Sequence, residues 1–188
     1  AGAGTNTVLG DFGFAEFDLS AAASVGPTAN AATSDADQPG GSDTITGSGG
    51  AESRNVVLGG AEGDVITLDA STDVVLADFG TVLFTNGSLS KVTTRQWDGL
   101  GDPSAVDANF EVITSGGSDT VTTGEGDDVV FGGGEGDSLD AGAGTNTILG
   151  DFGFAEFDLS ASASIGSITQ AATSDADQPG GSDTITGS

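Results

Sequence analysis

The chain has 188 residues, among them 33 glycines and 10 phenylalanines with one tryptophan and no tyrosine, so burial is spread thinly and a single thick core is not expected. Twenty-nine acidic residues against three basic ones leave a formal net charge of -26, which opposes compaction unless a cation is bound, and which argues against nucleic acid or an anionic membrane as partner. Histidine and cysteine are both absent, which excludes disulfides, thiolate or histidine zinc sites and the usual Ser-His and Cys-His nucleophiles; an enzyme is not expected, and hard oxygen ligation of Ca²⁺ is the metal chemistry left open.

Residues 1 to 48 recur as residues 141 to 188, shifted by 140 and differing only at positions 8, 22, 25 and 27 to 30. Near-identity at that distance points to a tandem array, with neighbouring repeats of the same chain as partners. The first residue falls inside a repeat, so a piece of a longer protein is expected. No apolar run reaches the roughly 18 residues of a membrane helix, no cleavable leader opens the chain, and direct membrane insertion is not expected.

Gly-Gly-Ser-Asp-Thr marks a shorter module at 40 to 44, 116 to 120 and 180 to 184. Residues 1 to 39 read as the tail of one module, with Asn6 and Val8 in pattern before Asp11-Phe12-Gly13. Residues 40 to 115 are a complete module. Its first part, to residue 80, carries Asp43, Asn55, Asp64 and Asp73, each followed two positions later by Ile45, Val57, Ile66 and Val75. One interval is twelve instead of nine, and Ser48 to Arg54 read as an inserted loop that leaves the later register intact. Residues 81 to 115 form the spacer, with Asn86-Gly87 predicting a hairpin and residues 95 to 112 a longer loop around Trp97, Asp98, Asp102 and Asp107. Residues 116 to 153 repeat the pattern without interruption, with Asp119, Asp128, Asp137 and Asn146 nine apart and Val121, Val130, Leu139 and Ile148 behind them. Residues 154 to 179 are a second β spacer, expected to pack as an end cap or side sheet, and residues 180 to 188 open a further module at Asp183. Ala-rich 20 to 24 and 161 to 164 suggest at most a short turn.

A nine-residue period of glycine-rich turn, acidic or amide oxygen and buried aliphatic is that of a parallel β-helix repeat. Each unit lays down half a coil, so alternate marks stack on one edge: Asp119 with Asp137, the stronger edge, and Asp128 with Asn146, the weaker. Gly124 and Gly126 supply positive φ, leaving backbone carbonyls free to join an aspartate around Ca²⁺.

These units resemble the hemolysin-type Ca²⁺-binding repeats of bacterial RTX proteins, and the alternation with Val-Leu-Gly-Asp-Phe-Gly is similar to modules of very large repetitive surface proteins and adhesins. The resemblance implies an all-β fold of tandem short parallel β-rolls alternating with antiparallel hairpin spacers. It implies several Ca²⁺ ions held at Asp43, Asp64, Asp73, Asp119, Asp128, Asp137 and Asp183, with Asn6, Asn55 and Asn146 as weaker positions. Asp11, Asp78 and Asp151 are either turn caps or ligands. Asp35, Asp37, Asp175 and Asp177 read as a solvated loop and Trp97 as a local core residue. Ser42 and Ser118 sit in shortened turns, and Glu135 stands at a usual glycine position. Such proteins leave the cell by type I secretion and fold outside it on binding Ca²⁺, which implies an extracellular or cell-surface location. The leading expectation is a structural segment of an adhesin shaft, stalk or matrix filament, with lateral self-association into fibres as a further partner expectation. The alternative is the carrier region of a secreted toxin or hydrolase. A glycan- or ice-binding face ranks third, because Thr120, Thr122 and Thr123 make too few outward threonines. Lys91, Arg54 and Arg95 are candidates for bridging to carboxylates.

Overall fold

A computed structural model describes residues 1, 2, 4–11, 13–17, 28–33, 40–50, 53–94, 116–160, 165–173 and 180–187. The described residues are all β, with no helix. In chain order the strands are β1 (Thr5–Leu9), β2 (Gly13–Phe17), β3 (Thr28–Thr33), β4 (Thr44–Thr46), β5 (Arg54–Leu58), β6 (Val65–Thr67), β7 (Thr72–Leu76), β8 (Thr81–Thr85), β9 (Ser88–Thr93), β10 (Thr120–Thr122), β11 (Val129–Gly133), β12 (Ser138–Asp140), β13 (Thr147–Asp151), β14 (Gly153–Phe157), β15 (Ile168–Thr173) and β16 (Thr184–Thr186).

They form three sheets. Two are parallel and five-stranded, in the orders β1-β5-β7-β11-β13 and β4-β6-β10-β12-β16; the third is antiparallel and six-stranded, in the order β2-β3-β8-β9-β14-β15. Within each run the chain crosses between the parallel sheets, so a strand meets its neighbour only after two nine-residue units. Register follows from this: Val57 lies beside Val75, Val75 beside Val130 and Val130 beside Ile148. In the facing sheet Ile45, Ile66, Val121, Leu139 and Ile185 are likewise aligned. Apart from Ile185, these aligned aliphatics meet between the two sheets in one core, with Leu68, Ala77 and Ala141.

The three inner strands of the first parallel sheet are buried on both faces. They read Asn-Val-Val-Leu, Asp-Val-Val-Leu and, from Asp128 onward, Asp-Val-Val-Phe, without alternation, as strands covered on two sides do. The second face carries Val56, Leu58, Val74, Leu76, Val129 and Phe131 against Ala31, Val82, Leu89, Val92, Ala155 and Phe157 of the antiparallel sheet. That sheet is assembled from the three spacer hairpins, and it is a side sheet, one of the two placements anticipated. Asn86 and Gly87 at the tip of β8–β9 have φ of 52° and 82°, the two positive values of the primed two-residue turn.

Spacers leave the stack without breaking it. Asp119 and Asp137 stack 18 residues apart, whereas Asp64 and Asp119 are 55 apart and Asp137 and Asp183 are 46 apart, yet all make the same contact. Both parallel sheets therefore run through the module boundaries. Asp43 and Asp64, 21 residues apart, absorb the three-residue insertion. One boundary needs correction: Arg54, read as loop, is the first residue of β5, where its guanidinium lies 5.2 Å from the Phe84 ring centroid and donates to Gly87 O at 3.1 Å. The insertion closes one residue earlier.

Phe131 is fully buried between the first parallel sheet and the antiparallel one, while Val65 is 44% exposed on the far side of the second. Phe131→Ala is expected to cost about 3–5 kcal/mol in a urea titration and Val65→Thr within about 0.5 kcal/mol. Equal losses at the two positions would overturn the three-layer arrangement.

Candidate metal-binding ladders

In-register stacking puts the expected ligands into rows. The first contains Asp43, Asp64, Asp119, Asp137 and Asp183. Each carboxylate Oδ1 accepts the backbone amide of the preceding aspartate, from Asp43 N to Asp64 at 2.7 Å, Asp64 N to Asp119 at 2.7 Å, Asp119 N to Asp137 at 2.9 Å and Asp137 N to Asp183 at 3.0 Å. The second oxygen is left over. Oδ2 of Asp43, Asp64, Asp119 and Asp137 is buried with no hydrogen-bond partner. Asp64, Asp119 and Asp137 are 1 to 3% exposed, so bulk solvent does not reach them.

The second row contains Asn6, Asn55, Asp73, Asp128 and Asn146, and it is far better satisfied. Asn6 Nδ2 donates to Asn55 Oδ1 at 2.8 Å, and Asn55 donates from both its backbone N and its Nδ2 to Asp73 Oδ1. Asp73 N donates to Asp128 Oδ1 at 2.8 Å and Asp128 N to Asn146 Oδ1 at 3.0 Å. Two hydroxyls that the nine-residue pattern did not single out complete it: Ser71 Oγ donates to Asp73 Oδ1 at 2.6 Å and Thr123 Oγ1 to Asp128 Oδ2 at 2.7 Å. Their signal in the sequence is a hydroxyl residue two or five positions before an aspartate. Only Asp73 Oδ2 is an orphan in this row.

Asp11, Asp78 and Asp151 lie where the first parallel sheet ends. Asp78 accepts from Gly134 N at 2.6 Å and Gly117 N at 3.2 Å, Asp11 from Ala61 N at 2.6 Å and Gly41 N at 3.3 Å, and Asp151 from Gly181 N at 3.1 Å. These are turn-capping contacts. The Asp-Phe-Gly aromatics Phe79 and Phe152 are buried together with Ala61. Asp35, Asp37, Asp175, Asp177, Asp98, Asp102, Asp107, Arg95 and Trp97 lie outside the described residues. Of the three basic side chains, Lys91 pairs with Glu156 at 3.2 Å.

Burial raises the carboxyl groups of Asp64, Asp73, Asp119, Asp128 and Asp137, and neighbouring carboxylates raise them further. Asp119 is pushed up to about 9 by burial and by the nearby Asp78 carboxylate, and Asp78 itself to about 8, chiefly by burial. Burial also lifts Asp137 to about 7 and Asp64 and Asp128 to about 6, against the amide hydrogen bonds that pull each of them down. A bound proton or a bound cation relieves the same strain.

The oxygens present suit a hard cation. A Cβ built on Gly59 would collide with both Asp64 Oδ2 and Ala77 O, and one on Gly132 with both Asp137 Oδ2 and Gly150 O; at Gly10 it would lie 2.5 Å from Asp43 Oδ2 and 2.5 Å from Gly59 O. Each glycine thus leaves a space bounded by an orphaned carboxylate oxygen and a carbonyl of the next coil. At the Asp119 coil that position is Ala77. Among the described residues no three acidic side chains converge on one point, so an ion here would draw most of its ligands from the backbone. Glu62 and Glu135 have φ of 64° and 63°, in the left-handed region that glycine adopts more readily.

Comparison of the chain with protein-family models, with curated proteins and with solved structures gives no match.

For the metal-free chain the folded-state pKa values lie above the unfolded value of about 3.9, so the native state binds more protons and stability falls as pH rises. This contribution is complete below about pH 4 and is lost as pH rises through the values of about 6 to 9. In excess chelator the far-ultraviolet β signal is expected to be strongest near pH 4 and to be lost as pH rises toward 9. A signal that strengthens over this range would show that the rows are not buried as described.

Proposed function

We propose that the chain is a Ca²⁺-dependent structural segment of a secreted or surface-attached bacterial fibre, such as an adhesin shaft, stalk or matrix filament, that folds on binding Ca²⁺ outside the cell. On this reading the two parallel sheets and their glycine turns are a nonapeptide β-roll. The observation that carries it is the row of four orphaned Oδ2 atoms, three of which, on Asp43, Asp64 and Asp137, lie beside a glycine with a carbonyl oxygen behind it. Their regularity suits a load-bearing repeat better than a single active site.

Asp43, Asp64, Asp119, Asp137 and Asp183 are the residues that would hold ions in the first row, and Asp73 is the strongest candidate in the second. When bound, Ca²⁺ supplies positive charge and a demand for six to eight oxygens. The chain's own contribution is to present one carboxylate per coil in fixed register, through the amide to Oδ1 contact, and to shield the second oxygen from bulk solvent. Because the free chain carries a net charge of -26, ion binding is coupled to folding. A carrier role in a secreted toxin or hydrolase would use the same chemistry.

A second reading, a glycan- or ice-binding face, is favoured by one observation. The outward positions of the second parallel sheet form two ranks, Thr44-Val65-Thr120-Ser138-Thr184 and Thr46-Thr67-Thr122-Asp140-Thr186. All but the partly buried Thr122 are exposed, and seven of the ten are threonine, more than the sequence pattern suggested.

Asn146 stacks beneath Asp128 through its Oδ1, so asparagine preserves the ladder contact while removing charge. Asp137→Asn is therefore expected to raise stability in chelator and to lower it in Ca²⁺. At free Ca²⁺ one hundred times Kd, a lost site forfeits about 2.7 kcal/mol. Calorimetry is expected to count one ion fewer, and far-ultraviolet circular dichroism of the parent chain to lose its β signal in chelator. Unchanged β signal, or a variant that gains or loses equally under both conditions, would refute Ca²⁺ coupling.

A further inference from the structure

The chain contains one segment twice, 140 residues apart, and the structure places its copies at opposite ends of the stack. Strands β2, β3 and β4 are equivalent to β14, β15 and β16, and β1 overlaps the equivalent of β13. The same residues therefore report on two environments. Ile45 is 8% exposed and its equivalent Ile185 is 48% exposed; position 28 is 5% exposed as Thr28 and its equivalent Ile168 is 45% exposed. Ala31 and Ala32 are buried whereas Ala171 and Ala172 are exposed. At the other end the asymmetry reverses, with Phe157 at 5% and its equivalent Phe17 at 38%.

Topology explains both. At the N-terminal copy, β1, β4 and β3 are covered by β5, β6 and β8; at the C-terminal copy the corresponding edges of β13, β16 and β15 have no strand beyond them among the described residues. Conversely β13, β16 and β14 are covered by β11, β12 and β9, whereas β1, β4 and β2 are edge strands. Each end lacks what the other end of a further unit would bring.

The three sheets also keep step. The copy recurs after four strands in every one of them: β1 to β13, β4 to β16 and β2 to β14. Layers that advanced by different numbers of strands would fall out of register within a few units. Here a parallel pair fed by nine-residue coils and an antiparallel sheet fed by hairpins advance together.

We propose that the C-terminal end face is a docking surface for a further copy of the 140-residue unit, which extends all three sheets at once. It rests on the shaft reading and specifies its joint. The unit that builds the filament is then the 140-residue repeat, not the module of 64 or 76 residues. One layer of the joint is already present inside the chain, where β9 pairs with β14. There Lys91 binds Glu156 at 3.2 Å and lies 5.3 Å from the Phe154 ring centroid. Glu16 is the equivalent of Glu156, on the edge strand that would meet the preceding copy's Lys91. At roughly 4.8 Å between neighbouring strands, four strands lengthen the stack by about 19 Å per unit.

Chains in which residues 1 to 140 are repeated two, four and six times ahead of residues 141 to 188 test this by electron microscopy in Ca²⁺ and in chelator. Rods that lengthen by about 19 Å per unit support the joint. Rods that lengthen by more than twice that in Ca²⁺, as separate beads, would overturn the joint and leave the Ca²⁺-dependent shaft standing. The short increment seen equally in chelator would support the joint and overturn Ca²⁺ dependence. Compact particles under both conditions would overturn both.

Discussion

Parallel, in-register stacking places like upon like, and everything else in this structure follows from the fact that the rule does not distinguish valine from aspartate. The register that sets Ile66 beside Val121 and Val121 beside Leu139 also sets Asp64 beside Asp119 and Asp119 beside Asp137. For the aliphatics it is favourable, at about 1.5–3 kcal/mol per buried side chain. For the carboxylates it is unfavourable twice over, through lost hydration and through repulsion between successive rungs. The amide to Oδ1 contact offsets part of this and holds the register. It leaves Oδ2 uncompensated, and that residue of cost is what a proton or cation can remove.

The antiparallel sheet resolves a different difficulty. Strands such as Asn55-Val56-Val57-Leu58 carry apolar side chains on both faces, so a parallel pair alone would expose Val56, Leu58, Val74, Leu76, Val129 and Phe131. Covering them takes a layer that grows at the same pace as the stack. Hairpins inserted between coils do this because each contributes two strands and returns the chain to the register it left. The second parallel sheet needs no cover, since its three-residue strands turn threonine outward. The result is one bare, polar face and one doubly buried sheet, with a core on either side of it.

Much of this was legible in the chain. The nine-residue interval identified both rows and the inward aliphatics, and Asn86-Gly87 identified its hairpin, because each is a local pattern with a local cause. The outward row of the first parallel sheet was also written there, as Val-Val-Leu and Val-Val-Phe where the other sheet has Thr-Ile-Thr. What was not legible is the union of three hairpins into one sheet. Pairing β3 with β8 or β9 with β14 joins segments separated by dozens of residues, and no composition rule specifies such neighbours. Likewise the spacing of marks could not show that Asp64 meets Asp119 across an entire spacer. Ser71 escaped notice, and Thr123, read as outward-facing, is instead fully buried with its hydroxyl on Asp128, for a simpler reason: serine and threonine are common in turns, and only the fold reveals which of them face a buried carboxylate.

The two rows differ in what they leave uncompensated. In the second, Asn55 supplies donors to Asp73, Ser71 and Thr123 supply more, and Asn146 accepts without adding charge. Most of that row's hydrogen bonding is therefore met within the chain, Asp73 Oδ2 alone excepted. The first row contains only aspartates, so it cannot satisfy itself in that way, and four of its Oδ2 atoms are buried without a partner. Asparagine in their place would keep the amide contact and remove the charge, as Asn146 does beneath Asp128. One register thus gives two rows of the same geometry, and the number of carboxylates in each decides how much of its burial is left uncompensated.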